Sequence, residues 1–141
     1  MAPTREHIAG IKQEAKRAYT EVRDFYEQFE REGPEHFTKS CKKVALAQMR
    51  VHSGIHNRDY GEYKKGVEDF ERHVRAAVRK AETTPTVCAI GVGDEKAAEY
   101  GVPAPGFTLA SPDAQREVLE RKLVKYKGIY NELPRGYFKS A

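Results

Sequence analysis

The segment from residue 36 to residue 58, HFTKSCKKVALAQMRVHSGIHNR, contains no Asp or Glu in a chain of which 33% is charged. If it is wound into a helix, its apolar side carries Phe37, Cys41, Val44, Gln48, Val51 and Ile55. The opposite side carries Lys39, Lys43, Leu46 and Arg50. The segment therefore predicts an amphipathic helix with a basic outer face.

Upstream of this segment, a long first helix is predicted, because apolar residues recur there in steps of three and four. Thr4 is a suitable N-cap. Gly33-Pro34 ends the helix, since glycine permits a left-handed cap and proline cannot continue. Such a regular apolar stripe suits packing along a partner helix or against another subunit. We expect the subunit contact to use Ile8, Ile11, Val22, Phe25 and Phe29.

The basic helix is predicted to run from about residue 35 to residue 51 and to be broken at Ser53-Gly54. A third helix is expected to start near Asn57 or Asp59, with an apolar stripe that continues to Ala81. Its C-terminal half is basic. Cations near a helix C-terminus also complement the helix dipole, which is the simpler explanation for their presence.

The segment 83–110 holds three prolines and four glycines, which predicts a long Gly/Pro loop. Within it we expect a short extended piece at Val87–Ile90 and one or two helical turns at Asp94–Tyr100. The last helix should open at Ser111-Pro112, an N-cap followed by proline at the first helical position, and stop at Pro134.

These elements predict an all-α protein with about four main helices. Residues 1–56 would form an N-terminal helix-turn-helix arm, in which the basic helix comes second. Residues 57–141 would form a helical globular half that contains the loop. The alternative is one continuous domain, which 141 residues can also build.

The composition restricts the class of protein. No apolar run is long enough to span a membrane, and the N-terminal residues have no apolar core of a secretory signal, so we expect a chain that is intracellular or is assembled inside a cell. The net charge is only +4, so the distribution of charge is more informative than its total. Cys41 and Cys88 are too few for a disulfide framework, and they are expected to be buried thiols or a single bridge.

The acid-free segment and the basic half of the third helix together form a candidate surface for a polyanion. Phosphate contacts need only cations on a rigid element and carry no sequence information. The alternative interpretation is a solvated helix face. The residues predicted to bind nucleic acid are Lys39, Lys42, Lys43, Arg50, Arg58, Arg72, Arg75 and Arg79.

Other chemistry finds little support in the sequence. His52 and His56 are spaced i, i+4, but a zinc site needs further ligands, and the predicted break at Ser53-Gly54 separates them. Gly91-Val92-Gly93 lacks the third glycine and the βαβ context of a dinucleotide loop. No nucleophile elbow or carboxylate pair stands out. We expect no enzyme, no metal and no cofactor.

The layout resembles a known family. A small, basic, helical chain that begins with a long regular helix, followed by a Gly-Pro turn and a basic helix, is similar to the major capsid proteins of rod-shaped and filamentous viruses of hyperthermophilic archaea. The scarcity of amide side chains, with two Asn and four Gln, is typical of thermophiles and agrees with this. In that family, helical subunits pair and wrap linear double-stranded DNA.

The resemblance implies a structural capsid protein that self-associates, or pairs with a homologous paralogue, in a helical filament around DNA. It also implies location in the virion nucleocapsid, assembled in the host cytoplasm. Lys39, Lys43 and Arg50 would be the DNA-facing residues. The acids of the first helix, such as Glu14 and Glu21, favour contact of that helix with a neighbouring protomer rather than with DNA.

Two other functions share these sequence features. The chain could be a small helical accessory subunit of an RNA-guided ribonucleoprotein, which has a basic face but does not form filaments alone. It could also be a helical interaction module whose basic face is only solvated. Double-stranded DNA is favoured over RNA by the resemblance, and not by any base-reading motif.

Overall fold

The computed structural model describes residues 4–32, 34–35, 37–82 and 112–139. These residues form four α-helices, and none of them lies in a strand, which confirms the predicted all-α class with about four main helices. The helices are α1 (Arg5–Glu32), α2 (Lys39–His56), α3 (Tyr60–Ala81) and α4 (Pro112–Glu132). The predictions for the Gly/Pro loop at 83–110 lie outside the described residues.

Three of the helices begin at a polar N-cap. The side chains of Thr4, Thr38 and Asp59 each accept a hydrogen bond from the backbone N–H three residues further on, at 3.1, 3.3 and 3.1 Å. Each bond satisfies one of the N–H groups that a helix start leaves without a partner. The predicted cap at Thr4 is confirmed, whereas α2 begins later than predicted because Thr38 supplies its cap.

The predicted break at Ser53-Gly54 is wrong, because α2 continues through both residues to His56. Gly54 is a point of close helix packing and not a helix end. A Cβ built on Gly54 would lie 2.4 Å from the backbone nitrogen of Tyr63 on α3. A Cβ on Gly66 would lie 2.7 Å from the backbone nitrogen of Val51. The two glycines therefore let α2 and α3 approach closely as an antiparallel hairpin.

The hydrophobic core is centred on α2, where Val44, Ala45 and Val51 are fully buried. One cluster of buried residues draws on all four helices and on the C-terminal tail. It crosses the boundary proposed at residues 56–57, so the arm and the globular half share one core among the described residues. Phe25 and Phe29 of α1 join it with ring centroids 4.4 Å apart.

This core corrects part of the expected subunit contact. Val22, Phe25 and Phe29 are 5%, 1% and 1% exposed, because α2 and the segment before it cover the apolar stripe of α1. These side chains pack inside their own chain and offer no surface to a second subunit. Ile8 and Ile11 lie at the edge of the core and are only partly buried.

The C-terminal tail docks onto the turn between α2 and α3. The Tyr137 hydroxyl donates a hydrogen bond of 2.5 Å to the carbonyl of Ile55. Arg58, in the turn, donates from Nε to the carbonyl of Tyr137 at 2.6 Å, and its own carbonyl accepts from the Lys139 N–H at 3.0 Å. Tyr137 and Phe138 are buried, so these aromatic residues are core residues.

Two polar or sulfur groups lie within the apolar side of α2. Cys41 is fully buried and disulfide-bonded, and Cys88 lies outside the described residues. Gln48 is fully buried, and neither side-chain atom makes a hydrogen bond with the described residues. A buried amide without a partner costs about 1–3 kcal/mol, so Gln48 is a weak point of this core.

Candidate nucleic-acid interface

The predicted outer stripe of α2 is present and points away from the core. Lys39, Lys43 and Arg50 are all exposed, and at about 100° per residue they lie within about 40° of one another around the helix. Leu46, which is 50% exposed, lies on the same stripe. None of the described residues forms an ion pair with Lys39 or Lys43, so both ammonium groups are available to a partner.

The neighbouring side of α3 adds two cations around a single acid. Asp69 forms ion pairs with Arg50 at 3.3 Å, with Lys65 at 3.5 Å, and with Arg72. One carboxylate cannot neutralise three cations, so this cluster keeps a positive excess. Lys65 was not among the predicted binding residues, although its i, i+4 spacing from Asp69 on a predicted helix would have placed it here.

His73 shows how close the two helices bring their positive charges. Its pKa lies below the ordinary value, first because the ring is partly buried and then because Lys43 of α2 and Arg72 of α3 repel a further proton. Asp69 partly offsets that repulsion. We refer below to the basic face, which consists of Lys39, Lys43, Arg50, Lys65 and Arg72.

Arg75 and Arg79 extend this charge along α3, but less directly. Both are exposed, and about 60° and 20° of helix rotation separate them from Arg72. Glu68 is exposed within the same sector, and Arg75 lies close enough to Glu71 to lower the pKa of that carboxyl, after the larger effect of Lys127. The two arginines therefore flank the basic face.

Two of the predicted binding residues have structural roles. Lys42 forms an ion pair with Glu30 of α1 at 3.5 Å and lies 6.0 Å from the ring centroid of Phe37, so it joins α1 to α2. Arg58 holds the C-terminal tail through its Nε–H and lies over the ring of Tyr137. Both contacts join different elements of the fold.

The two histidines near the end of α2 are held inside the fold. His52 Nε2 lies 3.1 Å from the hydroxyl of Tyr126, and His56 Nδ1 lies 2.9 Å from the carbonyl of Lys12. In the described part of the chain, no three His, Cys, Asp or Glu residues are grouped so as to hold a metal ion. Nor does any helix in this part have the length and apolarity to cross a membrane.

His52 should make the fold sensitive to acid. Burial, together with Lys122 and Lys125, lowers its pKa from 6.5 to about 4. The unfolded chain therefore takes up this proton first as the pH falls. The contribution of neutral His52 to the free energy of unfolding is complete above pH 6.5 and is lost as the pH falls towards 4. The full contribution is roughly 3 kcal/mol. Urea unfolding at pH 7.5 and pH 4.5 should show a smaller loss of stability in His52→Gln than in the wild type, and equal losses would contradict this.

Comparison of the sequence with protein-family models, with curated proteins and with solved structures gives no match. The functional interpretation therefore rests on the geometry and charge of the basic face.

Proposed function

We propose that this chain is a structural protein that coats nucleic acid by binding its phosphate backbone through the basic face. The observation that supports this most is the outward stripe of Lys39, Lys43 and Arg50 on a rigid helix that has no acid along its length. The close α2–α3 packing at Gly54 and Gly66 fixes the two helices that carry these cations against each other. Such an array attracts phosphates without reading bases.

The charge balance of the basic face supports a polyanion as the partner. It combines five cations with two acids, the exposed Glu68 and Asp69, whose side chain is 18% exposed and lies between the two helices. A nucleic-acid strand presents one phosphate about every 3.4 Å along its axis. Helix turns present cations about every 5.4 Å, so several phosphates can be contacted by one face.

The more specific proposal is a viral major capsid protein that assembles into a helical filament around double-stranded DNA. The resemblance noted in the sequence supports it. Ile11 also supports it, because it remains partly exposed on α1 and could join neighbouring subunits, whereas Ile8 lines a groove with basic walls. In this proposal Val22, Phe25 and Phe29 serve the protomer core, so the subunit contact is shorter than the sequence suggested.

Electron microscopy of the purified protein, with and without linear double-stranded DNA, tests the coating function. We expect protein-covered filaments whose length increases with the length of the DNA, and no filaments of defined length without it. Discrete particles that form only with structured RNA would instead favour the accessory-subunit hypothesis. Unchanged isolated protein in the presence of either nucleic acid would contradict coating.

A further inference from the structure

A second positive surface lies on a different side of the molecule. The N-terminal half of α1 and the turn after α2 enclose an open groove with a volume of about 560 Å³. Its polar lining residues are Arg5, Lys12, Gln13, Lys16, His56 and Arg58. No Asp or Glu is among these lining residues. We refer to this surface as the α1 groove.

The cations of the α1 groove form a row along α1. Arg5, Lys12 and Lys16 lie within about 40° of one another around the helix and span about 16 Å along it. None of the three forms an ion pair with the described residues. The acids of this half of α1 are Glu6 and Glu14, which lie about 100° and 180° of rotation from Arg5, and Glu14 binds Arg17.

Arg58 completes the groove with a guanidinium that is already oriented. Its backbone has a positive φ of 57° in the tight turn, and its Nε–H is fixed on the carbonyl of Tyr137. The two terminal amino groups make no hydrogen bond with the described residues. Side by side, such groups can donate to two oxygens of one phosphate. The contact of His56 with the Lys12 carbonyl holds α1 against the end of α2 below the groove.

We propose that the α1 groove binds a second stretch of nucleic-acid backbone, separate from the stretch on the basic face. This inference rests on the proposed function and extends it. A row of about 16 Å is too long for a single phosphate, and its three cations can contact three phosphates of a nucleic-acid backbone. His56 and Arg50 are six residues apart on α2, or about 120° of rotation, so the two surfaces face different directions. One protomer would then hold two backbone segments.

The salt dependence of DNA binding tests this proposal. Arg5, Lys12 and Lys16 are replaced together by glutamine, and affinity for a DNA duplex is measured from 0.05 to 0.5 M salt. The logarithm of the binding constant falls linearly with the logarithm of the salt concentration, and each lost phosphate contact makes this slope shallower by about 0.9. We therefore expect the slope to become shallower by about 2.7. The control replaces three exposed cations outside both surfaces by glutamine, namely Arg31, Lys64 and Arg135. Circular dichroism verifies that both variants fold.

The outcomes separate this inference from the proposed function. If the α1-groove variant keeps the slope of the control, while neutralisation of Lys39, Lys43 and Arg50 flattens it, the second site is overturned and the coating function stands. If neither variant changes the slope, both proposals fail. A flattening by the α1-groove variant beyond that of the control supports the second contact.

Discussion

Neutralising Lys39, Lys43 and Arg50 together by glutamine is expected to weaken binding to duplex DNA by roughly 10²–10³-fold at 0.1 M salt. Each released phosphate contact contributes a factor of about 8 between 1 M and 0.1 M salt, and three contacts multiply to about 500. Fluorescence anisotropy with a labelled duplex measures the loss. Because the contacts are to phosphates, the loss should be the same for duplexes of unrelated sequence.

The control for this variant removes the same charge elsewhere. Neutralising Arg31, Lys64 and Arg135 lowers the net charge equally but leaves the basic face intact. We expect it to cost a few-fold at most, through long-range attraction alone. Equal losses of DNA affinity in the two variants would contradict a phosphate contact at the basic face. They would favour the hypothesis of a solvated face.

Replacing Gly54 by alanine is expected to destabilise the fold by roughly 3 kcal/mol, although alanine is the better helix former by about 1 kcal/mol. The added Cβ would lie 2.4 Å from the nitrogen and 2.7 Å from the Cα of Tyr63. Backbone atoms cannot rotate away, so α2 and α3 must separate. That movement would disturb the bond of 2.5 Å from the Tyr63 hydroxyl to the Tyr126 carbonyl.

Gly10→Ala is the matched control, because nothing lies within 4 Å of a Cβ built there. In that exposed helical position alanine should stabilise the protein by up to about 1 kcal/mol. Urea unfolding of both variants therefore gives free-energy changes of opposite sign. A neutral or stabilising effect of Gly54→Ala would show that the hairpin is not held as closely as described.

Local signals predicted most of the helices. The N-cap at Thr4, the start at Ser111-Pro112 and the stripes of apolar residues depend on neighbouring residues only, and they match the bounds of α1 and α4 closely. The end of α2 was missed, because Gly54 is needed for contact with a helix that comes later in the chain. A glycine required by tertiary packing has the same local signal as a glycine that ends a helix.

The functional surface could be predicted only in part. Periodicity and the absence of acids placed Lys39, Lys43 and Arg50 on one outward stripe. The roles of Lys42 and Arg58 depend on distant partners, Glu30 and Tyr137, which no local pattern reveals.

The first helix shows two further limits of sequence patterns. Its apolar stripe does not distinguish a protomer core from a subunit contact. Its acids, counted over the whole helix, concealed the basic row of the α1 groove, since Glu14 and Glu21 lie on another side. The positions of charged residues around a helix therefore indicate a basic surface better than their number along it.

The salt dependence of DNA affinity, measured side by side for the wild type and the variant neutralised at Lys39, Lys43 and Arg50, shows whether the basic face binds phosphates. We predict a wild-type log–log slope of about −4 or steeper, and a slope shallower by about 2.7 in the variant. A wild-type affinity that does not change with salt would contradict this prediction, as would parallel slopes for the two proteins.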